Sequence, residues 1–211
     1  FPIIKKWLYS DHDIFFREMI SNGCDAITKL KKLEIMGEYS FPEDYKSKIE
    51  VIVNPDEKTL KFIDTGIGME ADEVEEYITQ IAFSGATEFL EKYKDKTNDD
   101  QIIGHFGLGF YSAFMVAEKV TVKSRAFGSE EAWCWESSGA DGYTMEPCEK
   151  EDHGTEILLK LKENAADTSY DEYLDAYTLK NLVKKYSDYI RYPIRMEMEK
   201  SRMIEGTDKD A

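Results

Sequence analysis

The chain has 211 residues, 42% of them hydrophobic, enough for one domain with a sizeable core. Lys and Arg number 27 against 43 Asp and Glu, and the net charge of −16 argues against nucleic acid or an anionic membrane as a partner through bulk charge. That charge still permits a local site for phosphates. No apolar run approaches the roughly 18 residues of a membrane span, and no secretory signal pattern is visible. Cys24, Cys134 and Cys148 form no Cys-x-x-Cys, and His12, His105 and His153 lie apart from them in sequence. This spacing speaks against a zinc site and for a reducing, cytoplasmic setting.

The chain opens on Phe1-Pro2-Ile3-Ile4 without Met, which reads as a fragment whose own start lies elsewhere. Residues from Asp11 to Leu33 read as one long helix. Lys48–Val53 and Thr59–Asp64 are Val- and Ile-rich or alternating, and Asn54-Pro55-Asp56 between them marks a hairpin turn. Ala71–Ile81 and Ala86–Tyr93 read as helices joined at Ser84-Gly85, followed by a polar stretch over Lys94–Gln101. A glycine-rich run then leads into a short apolar helix at Ser112–Val116. Beyond it the pattern changes to period two, predicting strands at Lys119–Arg125, Ala132–Glu136, Tyr143–Glu146 and Thr155–Leu161, with Asp141-Gly142 and His153-Gly154 as turn signals. Thr178–Arg191 is a last amphipathic helix, closed by Pro193. Early helices and late strands predict an α+β fold, a largely antiparallel sheet with helices on one face. Residues 1–196 read as a single domain and 197–211 as the start of a charged linker.

A helix advances about 100° per residue, so with Glu18 at zero, Asn22 lies near +40°, Asp25 near −20° and Lys29 near +20°. The apolar arc of Phe16, Met19, Ile20, Ala26, Ile27, Leu30 and Leu33 spans roughly 60° to 200°. The polar stripe therefore borders the buried arc, where a half-buried cleft can form. The alternative is a solvated stripe of i,i+3 and i,i+4 partners. An Asn inside a helix, disfavoured unless it has a partner or a task, favours the cleft.

Asp64-x-Gly66-x-Gly68 follows the alternating Leu60-Lys61-Phe62-Ile63, so Asp64 is expected at a strand end on the sheet rim. Glycines there permit positive φ and close approach of a flat ligand. An ionised carboxylate can accept from an exocyclic amino group such as that of adenine, and Met69 can cover a ring face. The same residues also suit an ordinary Gly-rich turn. Gly104-x-x-Gly107-x-Gly109 precedes an apolar helix and could offer backbone N–H groups to phosphates, or serve as a hinge. It matches neither the dinucleotide fingerprint nor the P-loop.

In this order, Glu-x-x-x-Asn-x-x-Asp-Ala from Glu18, Asp-x-Gly-x-Gly from Asp64 and Gly-x-x-Gly-x-Gly from Gly104 resemble the GHKL ATPase superfamily. Phe15-Phe16-Arg17-Glu18-Met19-Ile20-Ser21-Asn22, Ile81-Ala82-Phe83-Ser84-Gly85 and Ile103–Phe114 narrow the resemblance to the heat-shock protein 90 chaperones. It covers essentially the whole chain and corresponds to their N-terminal nucleotide-binding domain, a two-layer sandwich of the GHKL (Bergerat) ATP-binding fold.

The resemblance implies that Glu18 is the general base for the attacking water, that Asn22 holds Mg²⁺, and that Arg17 pairs with Glu18 and restrains it until a closed state forms. Asp64 would bind the adenine amino group with Thr155 in support, directly or through water. Gly68 and Met69 would line the adenine pocket. Gly104, Phe106, Gly107, Leu108, Gly109 and Phe110 would wrap the phosphates, with Asp25 and Lys29 bordering the nucleotide. Residues 84–101 would form a lid closing over ATP. Tyr77, Phe83 and Thr79-Gln80 stand where the family commonly has Asn, Lys and Gly-Thr, departures that fall at the phosphate end and the lid. The expected partners are adenine nucleotide here, and clients and co-chaperones in a full-length homodimer. The isolated domain is expected to be a slow ATPase and a monomer. A topoisomerase or mismatch-repair type ATPase domain, and a nucleotide-gated interaction module that does not hydrolyse, remain as alternative readings.

Overall fold

The computed structural model describes residues 13–38, 40–41, 45–76, 112–139, 142–166, 168–186, 190 and 192–199. The expected helix at 86–93, the polar stretch 94–101, the glycine run 104–111, and Tyr77, Thr79, Gln80 and Phe83 lie outside these residues.

The first helix, α1 (Ile14–Ile35), is followed by strands β1 (Ile49–Asn54) and β2 (Thr59–Asp64), the expected hairpin. Two single-turn helices follow in the described chain, α2 (Ala71–Val74) and α3 (Ala113–Val116). Strands β3 (Ala117–Arg125), β4 (Ala132–Ser137), β5 (Thr144–Cys148) and β6 (Gly154–Leu161) come next. A 3₁₀ turn at Tyr170–Leu174 leads to α4 (Ala176–Lys185), and the described part ends in β7 (Ile194–Met198). The strands form a seven-stranded sheet in the order β5-β4-β3-β6-β2-β1-β7, antiparallel except for the β1–β7 pair.

Two elements differ from the sequence expectation. The last helix begins at Ala176 because the Asp175 side chain accepts from the Thr178 N–H at 3.0 Å and caps it. It stops at Lys185, since Tyr186 leaves helical geometry (φ −104°, ψ 20°), and Ile190 is not helical. The alternating Ile194-Arg195-Met196-Glu197-Met198 then enters the sheet beside β1, and Glu197 and Met198, within the stretch read as linker, pair with Ile52 and Val53.

Register explains where the core sits. Directly opposed residues of neighbouring strands share a sheet face. Val51, Phe62, Ile157, Val122 and Trp135 form one such row, and Val53, Leu60, Leu159 and Val120 another. Onto these rows α1 lays its predicted apolar arc: Phe16, Met19, Ile20, Ile27 and Leu30 are buried and Ala26 and Leu33 half-buried, with Phe15, outside the predicted arc, buried as well. Phe16 meets Phe62 edge-on with centroids 5.7 Å apart, and Phe15 meets Tyr173 at 4.9 Å. Each such ring contributes about 1.5–3 kcal/mol through burial. Helix α1 is thereby fixed across β1 and β2, with Asn22, Asp25 and Lys29 toward the end of the sheet that carries Asp64. Among the described residues no helix is long and apolar enough to cross a membrane.

Candidate active site

A third row on the core face is polar. Asp64 ends β2, Thr155 is the second residue of β6, and Ser124 is next to last in β3; Asp64 pairs with Thr155, and Thr155 with Ser124. All three are buried. The same alternation that buries Leu60 and Phe62 thus delivers a carboxyl and two hydroxyls to one end of the apolar face. The Ser124 and Thr155 hydroxyl oxygens are 2.8 Å apart. The Met69 N–H donates to Ser124 Oγ at 2.9 Å, and the Gly66 N–H donates to Asp64 Oδ1 at 2.9 Å. Burial pushes the Asp64 carboxyl from 3.8 up to about 7, against the opposing pull of the Gly66 and Thr155 backbone N–H groups and the Lys150 charge.

The loop after Asp64 is fastened at each step. The Tyr45 hydroxyl donates to the Thr65 carbonyl at 2.7 Å, the Ile67 N–H to the Ala26 carbonyl at 3.0 Å, and the Phe127 N–H to the Ile67 carbonyl at 2.7 Å. The two glycines serve different needs. Gly68 has the expected positive φ of 69°, and a Cβ there would sit 1.9 Å from the Arg125 carbonyl oxygen. Gly66 is not at positive φ; it is needed because a Cβ would come within 2.6 Å of the Ala26 backbone, so the loop rests directly on α1.

Between this loop and the helical stripe lies a cavity of about 610 Å³. Asn22, Asp25 and Lys29 line its helical wall; Asp64, Gly68, Met69 and Thr155 line its sheet end. The stripe thus borders a cleft. Val122 and Ile157 form an apolar floor, with Phe127 beside them, suited to a flat ring next to a buried carboxyl.

Glu18 and Arg17 are not part of the cavity lining. Both are buried one turn before Asn22, where Arg17 Nη2 donates to Glu18 Oε1 at 2.5 Å and Nε donates at 3.2 Å. The guanidinium carbon also stands 6.0 Å from the centre of the Tyr186 ring. Glu18 is therefore held by the adjacent cation. Gly104, Phe106, Gly107, Leu108, Gly109 and Phe110 lie outside the described residues. Sequence reasoning missed Ser124, Phe127, Thr28 and Lys32, the last three of which line the cavity. Ser124 had a signal: in Val120-x-Val122-x-Ser124 it falls in the buried phase of the strand. Phe127 had none, because its place depends on the loop it meets.

The cavity is large enough for a nucleotide and lies between a helix and the end of a largely antiparallel sheet, with a buried carboxyl at its base, an arrangement suited to a nucleotide-binding protein of the helix-over-sheet type. Residues 15–155 match the family model described as "Histidine kinase-, DNA gyrase B-, and HSP90-like ATPase", and residues 172–211 match the "Hsp90 protein" model. The chain belongs to this ATP-binding family, as an ATPase domain of the Hsp90 type. It is 50% identical over 204 residues to "Chaperone protein HtpG" of Bacillus subtilis (strain 168), an overlap of 96% of this chain and 32% of that protein. The like-named protein of Clostridium botulinum (strain Loch Maree / Type A3) is 47% identical over 203 residues, again 96% and 32%. The chain spans about a third of the length of these curated relatives.

Proposed function

We propose that this domain binds Mg²⁺–ATP in the cavity and hydrolyses it, as the N-terminal ATPase of a cytoplasmic chaperone whose full-length homodimer handles client proteins with co-chaperones. The observation that carries the reading is the in-register Asp64–Thr155 pair, backed by Ser124, facing the Asn22–Asp25–Lys29 stripe across one cavity. Asp64, when ionised, accepts from the adenine amino group; Thr155 supports it through its N–H and its hydroxyl. Met69 and the Val122–Ile157 floor cover the ring faces. Lys29, exposed on the stripe, borders the phosphate side with Asp25.

The Asn22 carboxamide, half-buried on the cavity wall, suits an ion that keeps several waters and takes most of its oxygens from phosphates. Among the described residues no cluster of His, Cys, Asp and Glu would compete as a cage. Mg²⁺, when bound with ATP, would supply charge neutralisation for the phosphoryl group. Asn22 would be its protein ligand. Glu18 would orient the attacking water and take its proton once the Arg17 pairing gives way. That pairing supports slow turnover in the isolated monomer.

The test is single-turnover ATP hydrolysis by this chain and its Glu18→Ala variant, alongside ADP affinity. Retained affinity with turnover lost at least a hundredfold, on the order expected for a general base, supports the assignment. Full turnover in the variant refutes it.

A further inference from the structure

His153 reads in the sequence as half of a turn signal, and the nucleotide reading gives it no part. It is the last residue before β6 opens at Gly154, and its ring reaches the loop that follows Asp64. His153 Nδ1 lies 2.7 Å from the Gly66 carbonyl oxygen. A carbonyl oxygen can only accept, so Nδ1 carries the hydrogen and donates. The ring stands edge-on to Phe127, with centroids 5.4 Å apart at 83°, and 6.1 Å from the Tyr45 ring.

The consequence lies in one peptide plane. The Gly66 carbonyl and the Ile67 N–H belong to the same planar unit. Its N–H end is held by Ala26 of α1 at 3.0 Å, and its carbonyl end by His153 at 2.7 Å. The plane is thus clamped between the helix and the start of β6. The preceding N–H, that of Gly66, donates to Asp64 Oδ1. Two residues beyond His153, the Thr155 N–H supports the same carboxyl. His153 and Thr155 therefore act on Asp64 from one short stretch of backbone, Thr155 directly and His153 through Gly66.

We propose that His153 is a positioning residue for the purine: by clamping the Gly66–Ile67 peptide it fixes the direction of the Asp64 carboxyl and the floor that Gly68 and Met69 offer the ring. The proposal rests on the reading of the cavity as an adenine site. Two variants of the chain separate its hydrogen bond from its ring packing. His153→Asn keeps a side-chain N–H donor without the ring, and His153→Phe keeps an aromatic ring without the donor.

Adenosine, used as a probe without phosphates, is titrated calorimetrically into each variant. Hydrogen exchange of the Ile67 amide is followed in the absence of any ligand. His153→Phe is expected to bind adenosine about tenfold more weakly and to exchange Ile67 about tenfold faster, the loss typical of one hydrogen bond at a buried carbonyl. His153→Asn is expected to stay within about threefold of the parent on both readouts, since the amide restores the donor. Parent-like behaviour of His153→Phe overturns the proposal, and so does equal weakening in both variants, which would leave ring packing as the whole effect. If the parent chain itself fails to bind adenosine, the adenine reading falls, and the purine role with it. If the parent binds and His153→Phe is unchanged, only the role of His153 falls.

Discussion

If the cavity takes adenine as proposed, Asp64 should couple purine binding to a proton. Burial raises its carboxyl to about 7, so at pH 7 about half of the free domain carries a neutral acid there. The adenine amino group donates, and the ionised carboxylate is the stronger acceptor for it. Adenosine should therefore select the ionised form and drive the proton off. With a group titrating near 7, about a tenth is ionised at pH 6 and about nine tenths at pH 8. Adenosine affinity should rise about tenfold across that interval, which is about 1.4 kcal/mol. Adenosine is the proper probe because it has no phosphate titrating in the window. Calorimetry at pH 7 in two buffers of different ionisation enthalpy should count about half a proton released per site.

The folded state pays in the opposite direction. Between pH 3.8 and about 7 the native chain holds a proton on Asp64 that the unfolded chain has lost, so stability falls as pH rises through this window. The loss reaches about 4 kcal/mol above pH 7, as an upper bound from this one group. Asp64→Asn should remove that penalty and keep an acceptor for the Gly66 N–H, yet present a donor to adenine's amino group. Unfolding in urea at pH 8 should find the variant more stable than the parent by a few kcal/mol, and titration should find it unable to bind adenosine. Affinity that is flat from pH 6 to 8 with no proton released would refute the reasoning.

Other perturbations test separate links. Ser124→Ala removes the acceptor for the Met69 N–H and the partner of Thr155, and should cost about 1–3 kcal/mol in urea unfolding together with weaker adenosine binding. Gly68→Ala places a methyl against the Arg125 carbonyl at a positive φ; loss of adenosine binding with at least about 2 kcal/mol of destabilisation is expected, and a neutral result would contradict the loop geometry. Arg17→Ala leaves the buried Glu18 without its guanidinium and should destabilise the domain by about 3–5 kcal/mol, which circular dichroism during urea unfolding would detect.

Most of the sheet could be read because its residues alternate. Leu60, Phe62 and Asp64 occupy one phase of β2, and the same phase runs through Val120, Val122 and Ser124 of β3. The periodicity of α1 likewise placed the Asn22–Lys29 stripe beside the buried arc. Two things were not legible. Strand β7 runs parallel to β1 from a distant part of the chain, so no local turn announces the pairing. The fastening of the Asp64 loop was hidden as well, because Tyr45, Ala26, Phe127 and His153 reach it from four separate segments. Glycine at 66 could be read as a special position, but its cause, contact with the Ala26 backbone, appears only once α1 is laid against the loop.

The central claim is that this cavity takes the whole nucleotide, purine at Asp64 and phosphates with Mg²⁺ toward Asn22. Calorimetric titration of the chain with ADP and ATP, each with and without Mg²⁺, tests it most directly. Binding of both nucleotides that tightens with Mg²⁺, and that Asp64→Asn abolishes, is the predicted result. Binding indifferent to Mg²⁺ and to the number of phosphates would contradict the Asn22 assignment, and no binding at all would contradict the account.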